Sequence, residues 1–209
     1  PSTRGNEKRW NERNKQLTAN SRKGPFDLVF IGDSITQGWE GRGRNVWKKY
    51  YGDKNALNLG IGGDRTEHVI WRLTKNNQMS RKAKVAVVMI GTNNTGHFDQ
   101  DPEEVAAGVK SILAIMKEKR PETKILLLGI FPRGQSPHDL KRLNNVMINQ
   151  KIRRFADGDR VHYMDIGNEF LEADGTISKS IMPDYLHINA EGYERWAKAI
   201  QAKLEDLGM

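Results

Sequence analysis

The chain has 209 residues, enough for one domain with a full hydrophobic core, and carries 34 Lys and Arg against 26 Asp and Glu for a formal net charge of +8. It lacks any apolar run of about 18 residues, so no membrane span is expected, and it lacks cysteine, which excludes disulfides, thiolate catalysis and cysteine-based zinc sites. Its basic residues are interleaved with acidic ones and no nucleic-acid-binding module is recognisable, so they read as solvated helix faces and no nucleic acid partner is expected.

The chain begins at Pro1 without an apolar leader; it reads as periplasmic or secreted if a leader has been removed and as cytoplasmic otherwise. Residues 1–25, polar and basic with Trp10 and Leu17, read as an N-terminal helical or extended arm outside a main domain of residues 26–209. Short stretches rich in Val, Ile and Leu then recur: DLVFIGDS, ALNLGIGG, VAVVMIGTNN, KILLLGIFPRG and VHYMDIG. Near-continuous apolar runs of this length suit strands buried on both faces of a parallel sheet.

Helical patterns lie between them. Asp64 followed by Glu67 reads as a capping-box variant opening a helix with Val69, Ile70 and Leu73 on its apolar side. Asp101 and Pro102 start another, with Val105, Val109, Ile112, Leu113 and Met116 spaced for one face. A third runs from about Asp139 through Leu143, Val146 and Ile152 and ends near Gly158, and the last follows Asn189 with a core stripe of Tyr193, Trp196, Ile200 and Leu204. Strands alternating with helices predict a single doubly wound, flavodoxin-like α/β domain, its parallel sheet of about five strands covered by helices on both faces. Ligands in such folds sit outside the carboxyl ends of the strands.

The first strand ends at Gly32-Asp33-Ser34. Ser34 there suits a nucleophile at a strand-to-helix turn, where developing negative charge is favoured, and equally suits a helix cap; its flanks are not those of a G-x-S-x-G elbow. The second ends at NLGIGGDR, where Arg65 occupies the position of the third glycine of a dinucleotide fingerprint. Glycines that free a backbone N–H for the crevice fit an oxyanion hole, with a plain tight turn as the alternative. Asn93, after the third strand, offers a side-chain amide as a further donor or forms a turn. Asp184 and His187 stand three apart before the last helix, a spacing that lets a carboxylate hold Nδ1 while Nε2 faces a serine, though a surface loop would explain it as well. Of the other histidines, His68 falls in a helical pattern, His162 in a strand and His138 in a Pro-containing loop, while His97 follows the third strand and would line the site without catalysing. No pair has metal-ligand spacing, so neither a metal nor another cofactor is expected.

Taken together, Gly-Asp-Ser, the glycine after strand two, Gly-x-Asn after strand three and Asp-x-x-His near the end resemble the SGNH hydrolases, also called the GDSL family, from about Asp27 to Leu204. Within that superfamily, FIGDSITQGW, LNLGIGGDRTEHVIWRL, GTNNTGH, LLLGIFPRGQSP and DGTISKSIMPDYLHI are especially similar to the catalytic subunits of intracellular platelet-activating factor acetylhydrolase and their bacterial relatives. The resemblance implies a serine ester hydrolase with Ser34 as nucleophile, His187 as base and Asp184 as orienting carboxylate. It implies an oxyanion hole of the Ser34 N–H, Gly63 and Asn93, with Gly62 as the alternative to Gly63. Asn94 departs from the aspartate of many SGNH enzymes, as the acetylhydrolase-like branch also does.

The implied substrate is small and acetylated. A saccharide is favoured because the chain shows no apolar lid or strongly hydrophobic amphipathic helix; the alternatives are a platelet-activating-factor-like phospholipid and a catalytically silent glycan-binding module. Arg65 and Arg133 either contact an anionic group of the substrate or stabilise the fold, and Trp39, Trp47 and Trp71 either line the pocket or pack. The animal relatives imply a homodimer.

Overall fold

In the computed structural model, residues 2–5, 7–98 and 100–209 are described, apart from the side chains of His97 and Phe98, so the expectation for His97 lies outside the described residues. The apolar runs form β1 (Phe26–Gly32), β2 (Ala56–Asn58), β3 (Ala83–Met89), β4 (Lys124–Leu128) and β5 (Val161–Met164). These pair in parallel in the order β2-β1-β3-β4-β5, with Val29 opposite Leu57 and Ala86, and Ile125 opposite Ala86 and Val161. Alternation along each strand sends Val29, Ile31, Ala86 and Ile125 into one core and Leu28, Phe30, Val85 and Leu126 into another. Burial on both faces is the reason the runs are continuous rather than alternating.

The helices are α1 (Lys8–Asn20), α2 (Ser34–Gln37), α3 (Arg44–Tyr51), α4 (Thr66–Thr74), α5 (Thr92–Phe98), α6 (Pro102–Lys119), α7 (Leu140–Ile152) and α8 (Ala190–Asp206). The first core takes its helical side chains from α1, α4, α6 and α7, and the second from α2, α3 and α8. Asp101, Asp139 and Asn189 cap α6, α7 and α8 by accepting the N–H of Glu103 at 2.7 Å, Lys141 at 2.9 Å and Gly192 at 3.0 Å. Trp39 is fully buried against Phe30, Tyr193 and Trp196, Trp47 lies 5.2 Å from Phe30, and Trp71 lies 6.0 Å from Trp10, so all three pack. Among the described residues no helix is long and apolar enough to cross a membrane.

Two local expectations are corrected. Asp64 does not cap α4: Arg65 is the N-cap, and its N–H donates to His68 Nδ1 at 3.0 Å. The Asp64 carboxylate is instead buried on Trp10 and Arg72, since a buried carboxylate requires strong donors. Helix α7 stops at Ile152, before Gly158, and leaves Leu143 and Val146 on its exposed side. It turns Arg142, Asn145 and Asn149 inward, onto the backbone carbonyls of Arg133 at 2.9 Å, Phe131 at 3.1 Å and Ile130 at 3.0 Å. Ile130, Phe131 and Arg133 at the start of the loop after β4 are buried, and these polar side chains satisfy their backbone carbonyls.

Candidate active site

Gly32 ends β1 where no side chain fits: a Cβ there would lie 2.1 Å from Thr36 Oγ1 and 2.5 Å from the Met89 carbonyl oxygen. Asp33 follows and accepts the Ile35 N–H at 2.9 Å, so Asp33 is the cap of α2 and Ser34 is its first residue. The Ser34 hydroxyl is thereby left for another partner. Its Oγ lies 2.8 Å from His187 Nε2, and His187 Nδ1 lies 2.7 Å from Asp184 Oδ2. The other Asp184 oxygen accepts the N–H groups of His187 at 2.7 Å and Leu186 at 3.2 Å. Tyr185, at φ +55°, curls the segment so that both oxygens are used. Burial pushes the Asp184 carboxyl up, but the hydrogen bonds from the His187 backbone and ring outweigh it and hold the group below its usual range. Asp33 behaves oppositely: full burial pushes its carboxyl up to about 7, against the lowering effect of the Ile35 N–H.

The loop after β2 lies beside Ser34. A turn from Ile61 to Asp64 closes through the Asp64 N–H and the Ile61 carbonyl at 3.1 Å, with Gly63 at φ +75°. The Gly62 N–H is occupied, donating to Gln37 Oε1 at 2.7 Å. Asn93 is buried, and its amide donates to the Asp64 carbonyl at 2.9 Å, which brings it to this loop from the end of β3. Asn94 is a strut between α5 and α4: its Oδ1 accepts the Thr66 N–H and its Nδ2 donates to Thr66 Oγ1, each at 3.1 Å. The expected residues Ser34, Gly62, Gly63, Asn93, Asp184 and His187 are thus gathered at one edge of the sheet, beyond the carboxyl ends of β1, β2 and β3.

Both arginines near this edge are tied into the fold. Arg133 donates to the Thr92 carbonyl at 2.9 Å and hydroxyl at 3.0 Å, and Arg65 pairs with Glu67 at 2.5 Å. His68 is buried on α4, where burial lowers it to about 4, His162 Nε2 sits 3.1 Å from the Asp159 carbonyl, and His138 is exposed. A groove of about 560 Å³ opens at Ser34 and His187 and is lined further by Gln37, Glu40, Arg42 and Tyr193. Sequence reasoning passed over Gln37, Glu40 and Arg42, although they lie in ITQGWEGR, the segment that directly follows the serine.

The GDSL-like lipase/acylhydrolase family matches residues 30–195 of this chain. The human platelet-activating factor acetylhydrolase IB subunit alpha1 is 36% identical over 197 residues, covering 94% of this chain and 83% of the relative. A GDSL-like lipase from Bacteroides thetaiotaomicron superposes with a TM-score of 0.75 at 16% identity, covering 92% of this chain and 97% of its own. An acetylxylan esterase from Geobacillus stearothermophilus superposes with a TM-score of 0.67 at 18% identity, covering 89% and 95%. Sequence kinship over nearly the whole chain, carried on the same doubly wound sheet, makes this protein a member of the GDSL-like lipase/acylhydrolase family and a carboxylic ester hydrolase.

Proposed function

We propose that the protein removes short acyl groups, acetyl foremost, from carbohydrate hydroxyls through an acyl-enzyme on Ser34. The observation that carries this reading is the unbroken contact from Ser34 Oγ to His187 Nε2 at 2.8 Å and from His187 Nδ1 to Asp184 at 2.7 Å. Ser34 Oγ attacks the ester carbonyl while His187 takes its proton; His187 then gives that proton to the departing sugar oxygen, leaving the acyl group on Ser34. Water, deprotonated by His187, attacks the acyl-enzyme and releases the carboxylic acid as the proton returns to Ser34. Asp184 stays ionised beside the imidazolium, in keeping with its lowered pKa.

The oxyanion in this reading is bound by the N–H groups of Ser34 and Gly63 and by the Asn93 amide. Gly63 is preferred to Gly62 because the Gly62 N–H already donates to Gln37. The polar side chains Gln37, Glu40 and Arg42 along the groove support a hydroxyl-rich leaving group. The second reading, a platelet-activating-factor-like phospholipid, draws on the 36% identity to the human subunit. Residues 26–209 are read as the hydrolase domain with residues 1–25 as its arm, and a homodimer is expected by light scattering.

The test is hydrolysis of p-nitrophenyl acetate by the wild type and Ser34→Ala, both checked for folding by circular dichroism. Turnover lost only in the variant supports the serine mechanism; equal rates, or none in either protein, favour a silent glycan-binding module. Acetylated xylo-oligosaccharide and an acetylated ether phospholipid at equal concentration then separate the two substrates, a faster lipid reaction overturning the carbohydrate assignment.

A further inference from the structure

The N-terminal segment reaches the loop that carries Gly63. Arg4 Nη1 donates to the Gly62 carbonyl oxygen at 2.8 Å, while its Nη2 is held by Glu7 at 2.7 Å. From α1, Trp10 Nε1 donates to Asp64 Oδ1 at 2.6 Å and Arg13 Nε donates to the Gly60 carbonyl at 2.8 Å. Gly60, Gly62 and Asp64 are therefore each gripped by the same short stretch of chain.

The Gly62 carbonyl and the Gly63 N–H belong to one peptide unit. That unit is planar and trans, so its oxygen and its hydrogen point to opposite sides; among the described residues the cis bond is at Gly24–Pro25. Gly63 at φ +75° is what the third position of a type II turn requires, and the type I alternative rotates the central peptide by roughly half a turn. Such a rotation would reverse the direction of the Gly63 N–H. A guanidinium on the carbonyl oxygen opposes it through a charge-assisted bond and, by polarising the amide, strengthens the same N–H as a donor. Arg4 also lies against Gly63 itself, where a Cβ would come within 2.0 Å of its Nη1.

We propose that Arg4 is a positioning residue for the oxyanion hole: by binding the Gly62 carbonyl it fixes and polarises the peptide whose N–H, on Gly63, faces the developing oxyanion. The inference rests on the reading of Ser34 as nucleophile and Gly63 as donor. Its side chain is 28% exposed, so its removal does not empty a buried site.

The test compares wild type, Arg4→Ala, Arg4→Lys and Ser34→Ala with p-nitrophenyl acetate and with a short-chain trifluoromethyl ketone, after titration of active sites. Ser34 Oγ adds to the ketone carbon, its proton passes to His187, and the resulting hemiketal oxyanion requires the oxyanion hole. Arg4→Ala is expected to lower kcat roughly tenfold, a fraction of the 10²–10³ that a whole donor is worth, with KM unchanged. The ketone Ki should rise by the same factor, and Arg4→Lys should restore part of both because its ammonium still donates to a carbonyl. A loss confined to the fraction of active sites, or wild-type kcat and Ki in Arg4→Ala beside an inactive Ser34→Ala, would overturn the role of Arg4 and leave the proposed function standing. Full activity in Ser34→Ala would overturn both.

Discussion

Arg72 Nε donates to Asp64 Oδ2 at 2.8 Å, its Nη2 lies 2.8 Å from the same oxygen as an ion-pair contact, and the two side chains are 1% and 0% exposed. The backbone carbonyl of that same aspartate receives the Asn93 amide, so the ion pair stands directly behind the loop that carries Gly63. Burial pushes Asp64 up and Arg72 down, and the charge of each partner works against that shift. Arg72→Met strands the buried carboxylate and should cost about 3–5 kcal/mol in urea unfolding. The double variant Asp64→Asn/Arg72→Met should regain much of that loss; if it is no more stable than Arg72→Met, the stranded charge is not the cause.

For the proposed base and its carboxylate, His187→Ala should lower kcat by roughly 10⁴ or more, and Asp184→Asn by about 10⁴, by analogy with other triads. The second variant matters because Asp184 meets His187 at both the ring and the backbone N–H. Steady-state kinetics with p-nitrophenyl acetate decide it, and wild-type turnover in His187→Ala would remove the histidine from the mechanism.

Asn93→Ala removes one proposed oxyanion donor and should lower kcat roughly 10²–10³-fold with little change in KM. Because the amide also holds the Asp64 carbonyl, a modest fall in Tm should accompany it. A large rise in KM at constant kcat would instead make Asn93 a ground-state binding group.

Asp33 links the site to pH through stability. Its native pKa of about 7 stands above the ordinary 3.8, so the folded protein holds the proton more tightly than the unfolded chain. The stabilising contribution is complete below the unfolded value and is lost as pH rises through the folded one. Asp33→Asn retains a side-chain oxygen for the Ile35 N–H but cannot ionise. The Tm of Asp33→Asn relative to wild type should therefore climb between pH 4 and pH 7 and level off above it; a difference independent of pH would show that Asp33 does not titrate in this window.

Read alone, the chain specified its architecture and most of its candidate site. Runs such as VAVVMI must be covered on both faces, and the Asp-Pro start of α6 and the Tyr193, Trp196, Ile200 and Leu204 stripe of α8 are local signals that need no partner to be legible. Ser34, Asn93, Asp184 and His187 stood out because each lies in a short motif at a strand end or before a helix. Tertiary structure decided what each polar group is bonded to. It made Asp33 rather than Ser34 the cap of α2, gave the Gly62 N–H to Gln37, and buried Asp64 on Trp10 and Arg72 where the sequence suggested a helix cap. It also carried Arg4 and Arg13 across 58 and 47 residues to the carbonyls of Gly62 and Gly60. Periodicity and turn chemistry are written into neighbouring residues, whereas hydrogen bonds across such distances exist only once packing has brought donors and acceptors together and excluded the water that would otherwise satisfy them.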